Sequence, residues 1–328
     1  MDIGGNQDDW LSSLGFPPIL TTNSLRSIAH LFPNKKKRCG IYLIELSNDV
    51  YYIGQSKEVV RRYAAHLKAH EQIFGISFLP VAAKELDAVE RELIFKAQQI
   101  GIVLANNTHV AHVIGEADLD LVVPRVDQEA WLNNSSYRVK LIRRRALFLT
   151  IIVAAFKRQH DKLLKSAYHH MVIKLLRTYI SRCIIFPVLT EYSFWSVSCC
   201  PSTNRHTRLA AVNAGMMELF VLGFYPQEPN AMCGFINVAE SVLDQDVQLI
   251  DLLVNEGLSP THVAYRDAAD DCCRIDFTVG KDDWILRDQS VMGAAAELAL
   301  RVMRKRSTIY CKYHCKQLAD EVLSGFSL

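Results

Sequence analysis

The sequence predicts an α+β protein, with a small core of short strands and helices near the N-terminus and a larger, mostly helical C-terminal region with a few strands. Three observations predict it. Two short apolar runs, Ile41 to Leu46 and Val50 to Gly54, flank Ser47-Asn48-Asp49. Asn and Asp tolerate left-handed backbone and bond their own main chain, so this pattern is a hairpin. From Lys57 the apolar spacing turns helical, with Val59, Tyr63, Ala64 and Leu67 on one stripe. Helical spacing returns over residues 135–182, which carry twelve cations against the single acid Asp161, a net of +11.

Taken in order, residues 1–34 are expected to form an N-terminal extension. Gly15-Phe16-Pro17-Pro18 is loop chemistry, and Asn23-Ser24 caps a short helix through Leu31 that Pro33 stops. Lys35, Lys36, Lys37 and Arg38 stand directly before the first strand. They fit either a solvated flank or a rim that contacts phosphates. Within the hairpin, Tyr42, Ile44 and Leu46 share one face; Tyr52 and Gly54 share a face, and Tyr51 and Ile53 point the other way. Ile76 to Ala82 is an apolar run of strand length. Glu85 to Ile100 has Leu86, Val89, Leu93, Ala97 and Ile100 at helical spacing. Residues 35–110 are therefore one domain.

Residues 111–134 are expected to be a linker, with the acidic Gly115-Glu116-Ala117-Asp118 and the breaker Pro124. His109 and His112 lie three apart near its start, but no Cys or further His is close enough in sequence to make them a metal pair. Residues 135–328 form the C-terminal region, which is either a nucleic-acid-binding or an interaction domain. Its basic part has a break expected at residues 157–161, and the apolar stretch Ala146 to Phe156 is expected to be a buried helix, being too short to cross a bilayer, which takes about 20 residues. Strands are expected at Ile184 to Leu189 and Phe194 to Val197, and a helix through Leu209 to Leu222. Residues 224–290 reverse the charge, with thirteen acids against four bases for a net of −9. Strands over 262–287 turn at Asp270-Asp271 and Gly280-Lys281-Asp282, and two helices follow from Ser290.

The stretch from residue 40 to 107 resembles the catalytic core of the GIY-YIG nuclease family. Gly40-Ile41-Tyr42 and Tyr52-Ile53-Gly54 are its two tripeptides, with nine residues between the tyrosines. Arg62 lies eight residues after Gly54, and His66 four further on, the family's places for an arginine and for a histidine or tyrosine. The resemblance implies a three-stranded antiparallel sheet flanked by helices, a glutamate on the second helix and a closing asparagine. Glu90, four residues before Ile94, matches the glutamate, with Glu92 as the alternative; Ala105-Asn106-Asn107 supplies the asparagine, taken as Asn106.

What the resemblance implies is a metal-dependent endonuclease that hydrolyses phosphodiester bonds in DNA, in a restriction, defence, mobile-element or repair setting. Mg²⁺, or Mn²⁺ in its place, would sit on Glu90. Tyr42 would be the general base, its pKa lowered by nearby cations, and Arg62 would hold the phosphate. Tyr52 and His66 would orient water or phosphate. The sequence departs from the family where many members carry a lysine: Gln55 follows the second tripeptide. Either His66 or a neighbouring cation, Lys57 being the nearest, stands in for it, or the enzyme is slow. Lys35, Lys36, Lys37, Arg38, Lys57, Arg143, Arg144 and Arg145 are the expected nucleic-acid contacts.

Nine cysteines, an odd number, follow an acidic N-terminus without a signal-peptide pattern, so free thiols in the cytoplasm are expected. The run Cys311-Lys312-Tyr313-His314-Cys315 offers part of a zinc set without a second ligand pair at suitable spacing. Two other readings compete with the nuclease. One is a nucleic-acid-binding protein that keeps the fold without cutting, to which Gln55 lends support. The other makes the C-terminal region a partner-interaction module.

Overall fold

The computed structural model describes residues 7–23, 25–47, 49–69, 73–106, 117–133, 156–201, 207–226 and 228–324. The chain is an α+β protein whose contacts divide it into two units, residues 1–115 and 116–328. Among the described residues no helix is long and apolar enough to cross a membrane.

In the first unit, α1 (Gln7–Ser13) and β1 (Leu20–Thr21) precede β2 (Gly40–Glu45), β3 (Val50–Ser56), α2 (Val59–Ala69), β4 (Gly75–Pro80), α3 (Leu86–Gln99) and β5 (Val103–Leu104). The sheet order is β1-β4-β2-β3-β5. β2, β3 and β4 pair antiparallel, as does the edge strand β1, while β5 runs parallel to β3. The strand alternation read from the sequence sorts the core. Ile41, Leu43, Tyr51 and Ile53 face α3, through Leu86, Leu93, Ile94 and Ala97. Tyr42, Ile44 and Tyr52 face α2, through Val59 and Tyr63. Both faces are covered, so alternate residues of each strand serve different helices.

Residues 7–21 of the expected N-terminal extension pack into the first unit. Leu11, Leu14 and Phe16 are buried in the α3-side core, β1 pairs with β4, and the Ser77 hydroxyl donates to the Pro17 carbonyl at 2.6 Å. The helix expected through Leu31 is absent; Pro33 and the short stretch before it leave turns instead.

In the second unit, α4 (Arg125–Asn133) is followed by α5 (Lys157–Leu164), α6 (His169–Cys183), α7 (Pro187–Thr190), β6 (Trp195–Cys199), β7 (Thr207–Ala214), β8 (Met217–Tyr225) and β9 (Glu228–Val238). Then come α8 (Glu240–Leu243), α9 (Val247–Asn255), β10 (Thr261–His262), β11 (Cys273–Thr278), α10 (Gln289–Lys305) and α11 (Lys316–Leu323). The mostly helical expectation gives way here. A six-stranded antiparallel sheet, order β10-β11-β9-β8-β7-β6, forms the centre, and α6 and α10 pack into the large core on it.

The helix expected over Leu209 to Leu222 is the β7–β8 hairpin. Its strands are buried on both sides, with Ala211 and Val221 in a small cluster with Phe235 opposite the main core. A near-continuous apolar run shows no period of two, so the pattern alone cannot separate it from a helix. The hairpin turns on Gly215, at φ +49°, where an added Cβ would meet Val302 Cγ1 at 2.6 Å. Ile184 to Leu189 is not a strand, because Pro187 opens the single-turn α7. Residues 157–161 begin α5 rather than breaking a helix pair; the break falls between Leu164 and His169. The expected buried helix at Ala146 to Phe156 lies, but for Phe156, outside the described residues, as do Arg143, Arg144 and Arg145.

Candidate active site

The site begins with a register. β2 and β3 set Tyr42 directly opposite Gly54 and Ile44 opposite Tyr52. With no side chain at Gly54, the Tyr42 ring lies across β3. A Cβ at Gly54 would stand 2.6 Å from Tyr42 Cζ and 2.7 Å from Tyr52 Cε1. The second tripeptide therefore ends in glycine because the first one's tyrosine occupies that space.

The phenol reaches α2, where Arg62 and His66 lie one turn apart on one face. Arg62 Nε donates to Tyr42 Oη at 3.0 Å, and His66 Nε2 lies 2.7 Å from the same oxygen. Tyr42 is 1% exposed and His66 6% exposed. Arg62 sits on the exposed side of its helix and is charged whatever its surroundings; its bond to Tyr42 raises its pKa further, outweighing partial burial. The Tyr42 and Tyr52 rings stack at 6.1 Å, and the Tyr52 and His66 rings are 4.8 Å apart.

The expected lowering of the Tyr42 pKa is overturned. Burial, then the neighbouring Tyr52, push it well above the ordinary phenol range; Arg62 opposes this, and the Glu90 charge adds to it. Tyr42 is thus a protonated phenol at neutral pH. Its oxygen accepts from Arg62 Nε and lies in hydrogen-bonding contact with His66 Nε2, where the tautomer of the imidazole sets which group donates.

Glu90 comes from α3, on the other side of the sheet. It is 6% exposed, and Gln55 Nε2 donates to its Oε2 at 2.9 Å. The same amide nitrogen donates to Asp87, one helical turn earlier. Asp87 was missed in the sequence; its i, i+3 spacing from Glu90 on a predicted helix was the available signal. Glu92 is exposed and pairs with Lys96 at 2.6 Å, which leaves Glu90 as the carboxylate facing β3. Carboxylate oxygens are the ligands hard divalent cations take; here Glu90 and Asp87 converge on the Gln55 amide, which engages one oxygen of each.

Asn106, taken in the sequence as the closing asparagine, bonds to the β3 backbone. It is 2% exposed, its Oδ1 accepts from Ile53 N at 3.0 Å, and its Nδ2 donates to the Ile53 carbonyl. Ala105 N donates to the Tyr51 carbonyl at 2.7 Å just before it. Asn106 thus carries the β3 pairing one step past the end of β5 and holds β3 in place.

Lys35, Lys36 and Lys37 form an exposed 3-10 turn, capped by Asn34 Oδ1 on Lys36 N at 3.0 Å. Three residues later Gly40 pairs with Ser56, and the exposed Lys57 follows. These four lysines lie at the end of the hairpin that holds Tyr42 and Gly54. Arg38 does not join them: its Nε donates to the Phe32 carbonyl at 2.8 Å and its guanidinium lies 3.4 Å from Glu58, which ties the loop to the start of α2. In the second unit, Arg177 donates to the carbonyls of Glu321 at 2.9 Å and Val322 at 3.2 Å, and Arg182 to that of Leu286 at 2.9 Å, so those cations also serve the fold. Lys174 remains exposed. His314 is buried between Val197 N and Glu191, and among the described residues no group of three or more His, Cys, Asp or Glu could hold a metal ion.

No family model matches the chain, and no curated protein or solved structure does either.

Proposed function

We propose that residues 35–110 are a nuclease domain of the GIY-YIG type that hydrolyses phosphodiester bonds in DNA. The observation that carries this is the Tyr42 oxygen held between Arg62 Nε at 3.0 Å and His66 Nε2 at 2.7 Å, on a hairpin whose glycine is vacated for that ring. Ordinary strand tyrosines have no need of such an arrangement.

A phenol oxygen has one proton and two lone pairs. The proton serves His66 and one lone pair serves Arg62, which leaves one lone pair for a water hydrogen. As that water attacks phosphorus, Tyr42 takes its proton and passes its own to His66, so no free phenolate is required. The exposed Arg62 guanidinium binds a phosphoryl oxygen and stabilises the charge that builds there. Mg²⁺ held by Glu90, with Asp87 beside it, would supply Lewis-acid stabilisation of the phosphoryl and leaving oxygens. Lys35, Lys36, Lys37 and Lys57 would contact flanking phosphates without reading sequence.

The second reading is a nucleic-acid-binding protein that does not cut. The bond from Gln55 to Glu90 favours it, since an amide occupies an oxygen the metal would use. One experiment separates the two. Full-length protein is incubated with supercoiled plasmid, single-stranded and branched DNA, with Mg²⁺ or with chelator. Mg²⁺-dependent cleavage that Glu90→Ala abolishes and Glu92→Ala leaves intact supports the nuclease. Retarded but uncut DNA under every condition supports the binding protein instead.

A further inference from the structure

We infer that Cys199, Cys200 and Cys315 form a thiol oxidation site in the second unit, which a hydroperoxide converts to a disulfide. The inference is independent of the nuclease reading. Cys199 closes β6, and Cys200 N donates to the Leu209 carbonyl at 2.9 Å. Cys315 immediately precedes α11, and its N donates to the Val197 carbonyl at 2.7 Å. Backbone bonds to one strand thus bring together cysteines more than a hundred residues apart in sequence. The Cys199 thiol lies within hydrogen-bonding reach of both Cys200 and Cys315.

The surroundings suit a thiolate. Cys315 Sγ donates to Gln317 Oε1 at 3.7 Å; its pKa is lowered, first by the Cys199 thiol and then by the backbone N–H groups of Leu318 and Gln317 at the start of α11, against burial, and the Lys162 cation of α5 acts on Cys200. Access is graded: Cys200 is partly exposed, whereas Cys199 is 2% and Cys315 0% exposed. The Cys199 hydrogen bond, with Lys162, brings the Cys200 thiol down to about 7 against the effect of burial. Burial pushes Cys273 up to about 12 and Cys183 and Cys272 higher still, whereas Cys199 is held protonated first by its hydrogen bonds to Cys200 and Cys315 and then by burial.

The chemistry balances. The Cys200 thiolate attacks the outer oxygen of the hydroperoxide; an S–O bond forms, the O–O bond breaks, and water or an alcohol leaves with a proton from solvent. Cys199 then attacks the Cys200 sulfenic sulfur and releases water. Cys315 attacks Cys199 in turn, forming the Cys199–Cys315 bond and returning Cys200 as a thiolate. Two thiols are oxidised by two electrons, and one peroxide is reduced.

The test uses reduced, full-length protein treated with stoichiometric hydrogen peroxide, blocked with iodoacetamide, digested with trypsin and mapped by mass spectrometry. Oxidation should join peptide 183–205 to peptide 313–316 in a link that dithiothreitol reverses. Cys200→Ser should slow its formation at least tenfold. In Cys315→Ser the oxidation should stay within peptide 183–205, as a dimedone-reactive Cys200 or a Cys199–Cys200 disulfide. The partly exposed Cys39 and Cys311 are internal controls. Oxidation of either before the cluster in the wild-type chain overturns the inference, as does parental oxidation of a folded Cys200→Ser protein.

Discussion

Gly54→Ala tests how the hairpin holds Tyr42. The new Cβ would stand 2.6 Å from Tyr42 Cζ and 2.7 Å from Tyr52 Cε1. Carbon atoms prefer roughly 3.5–4.0 Å, so the ring has to move by about 1 Å. Tyr42 is 1% exposed and enclosed by β4 and α2, so it has no free direction to take. Overpacking of this kind costs about 1–3 kcal/mol. A shift of that size also stretches the 2.7 Å and 3.0 Å contacts to His66 and Arg62 past hydrogen-bonding range. Misplacing a reacting group by 1 Å costs about 10²-fold in rate. The assays are thermal unfolding and plasmid cleavage in Mg²⁺. Removing the ring relieves the clash, so the stability cost of Gly54→Ala should shrink on a Tyr42→Ala background. A Gly54→Ala protein with parental melting and parental cleavage would refute the reasoning.

Tyr42→Phe keeps the ring and removes the relay oxygen, and cleavage should fall about 10²-fold or more. Because burial raises the Tyr42 pKa above the ordinary phenol value of about 10, its protonated form persists across the neutral range. The wild-type rate should therefore not climb through pH 8–9; a tenfold rise per pH unit in the alkaline range would restore the phenolate base. Asn106→Ala leaves the Ile53 N–H and carbonyl without their side-chain partner and should destabilise the first unit by about 1–3 kcal/mol. Hydrogen exchange at the Ile53 amide should speed up accordingly, and unchanged exchange would show that the clamp contributes nothing.

The helices α2 and α3 were legible because each carries a period that a single buried stripe imposes, and the hairpin, though covered on both faces, because Ser47-Asn48-Asp49 divides two short apolar runs whose strand alternation is counted from that turn. The same alternation also separated Tyr42 from Tyr51 correctly. In the second unit the period vanished, since β7 and β8 are buried on both sides and are rich in alanine, which suits strand and helix alike. That Tyr42, Arg62 and His66 belong to one site followed from the family resemblance, the i, i+4 spacing showing only that Arg62 and His66 share a helix face. The sign of the Tyr42 pKa did not, because cation proximity can be read from sequence spacing while the depth of burial cannot. Arg38 failed for a related reason: a cationic run has the same composition whether its last member faces solvent or the Phe32 carbonyl.

Residues 53 to 55 of β3 explain why the tripeptide and the residue after it must be considered together. Ile53 gives its backbone to Asn106, Gly54 gives its space to Tyr42, and Gln55 gives its amide to Asp87 and Glu90. Three consecutive residues thus connect β3 to the β5 edge, the α2 side and the α3 side. Because neighbouring side chains on a strand point to opposite faces, a one-residue slip would put Gln55 toward the tyrosines and the glycine toward α3. Every one of these contacts would then be lost together. The Asn106 clamp fixes the backbone at Ile53, directly before the glycine, and so it acts on the placement of Tyr42 and Glu90 without touching either.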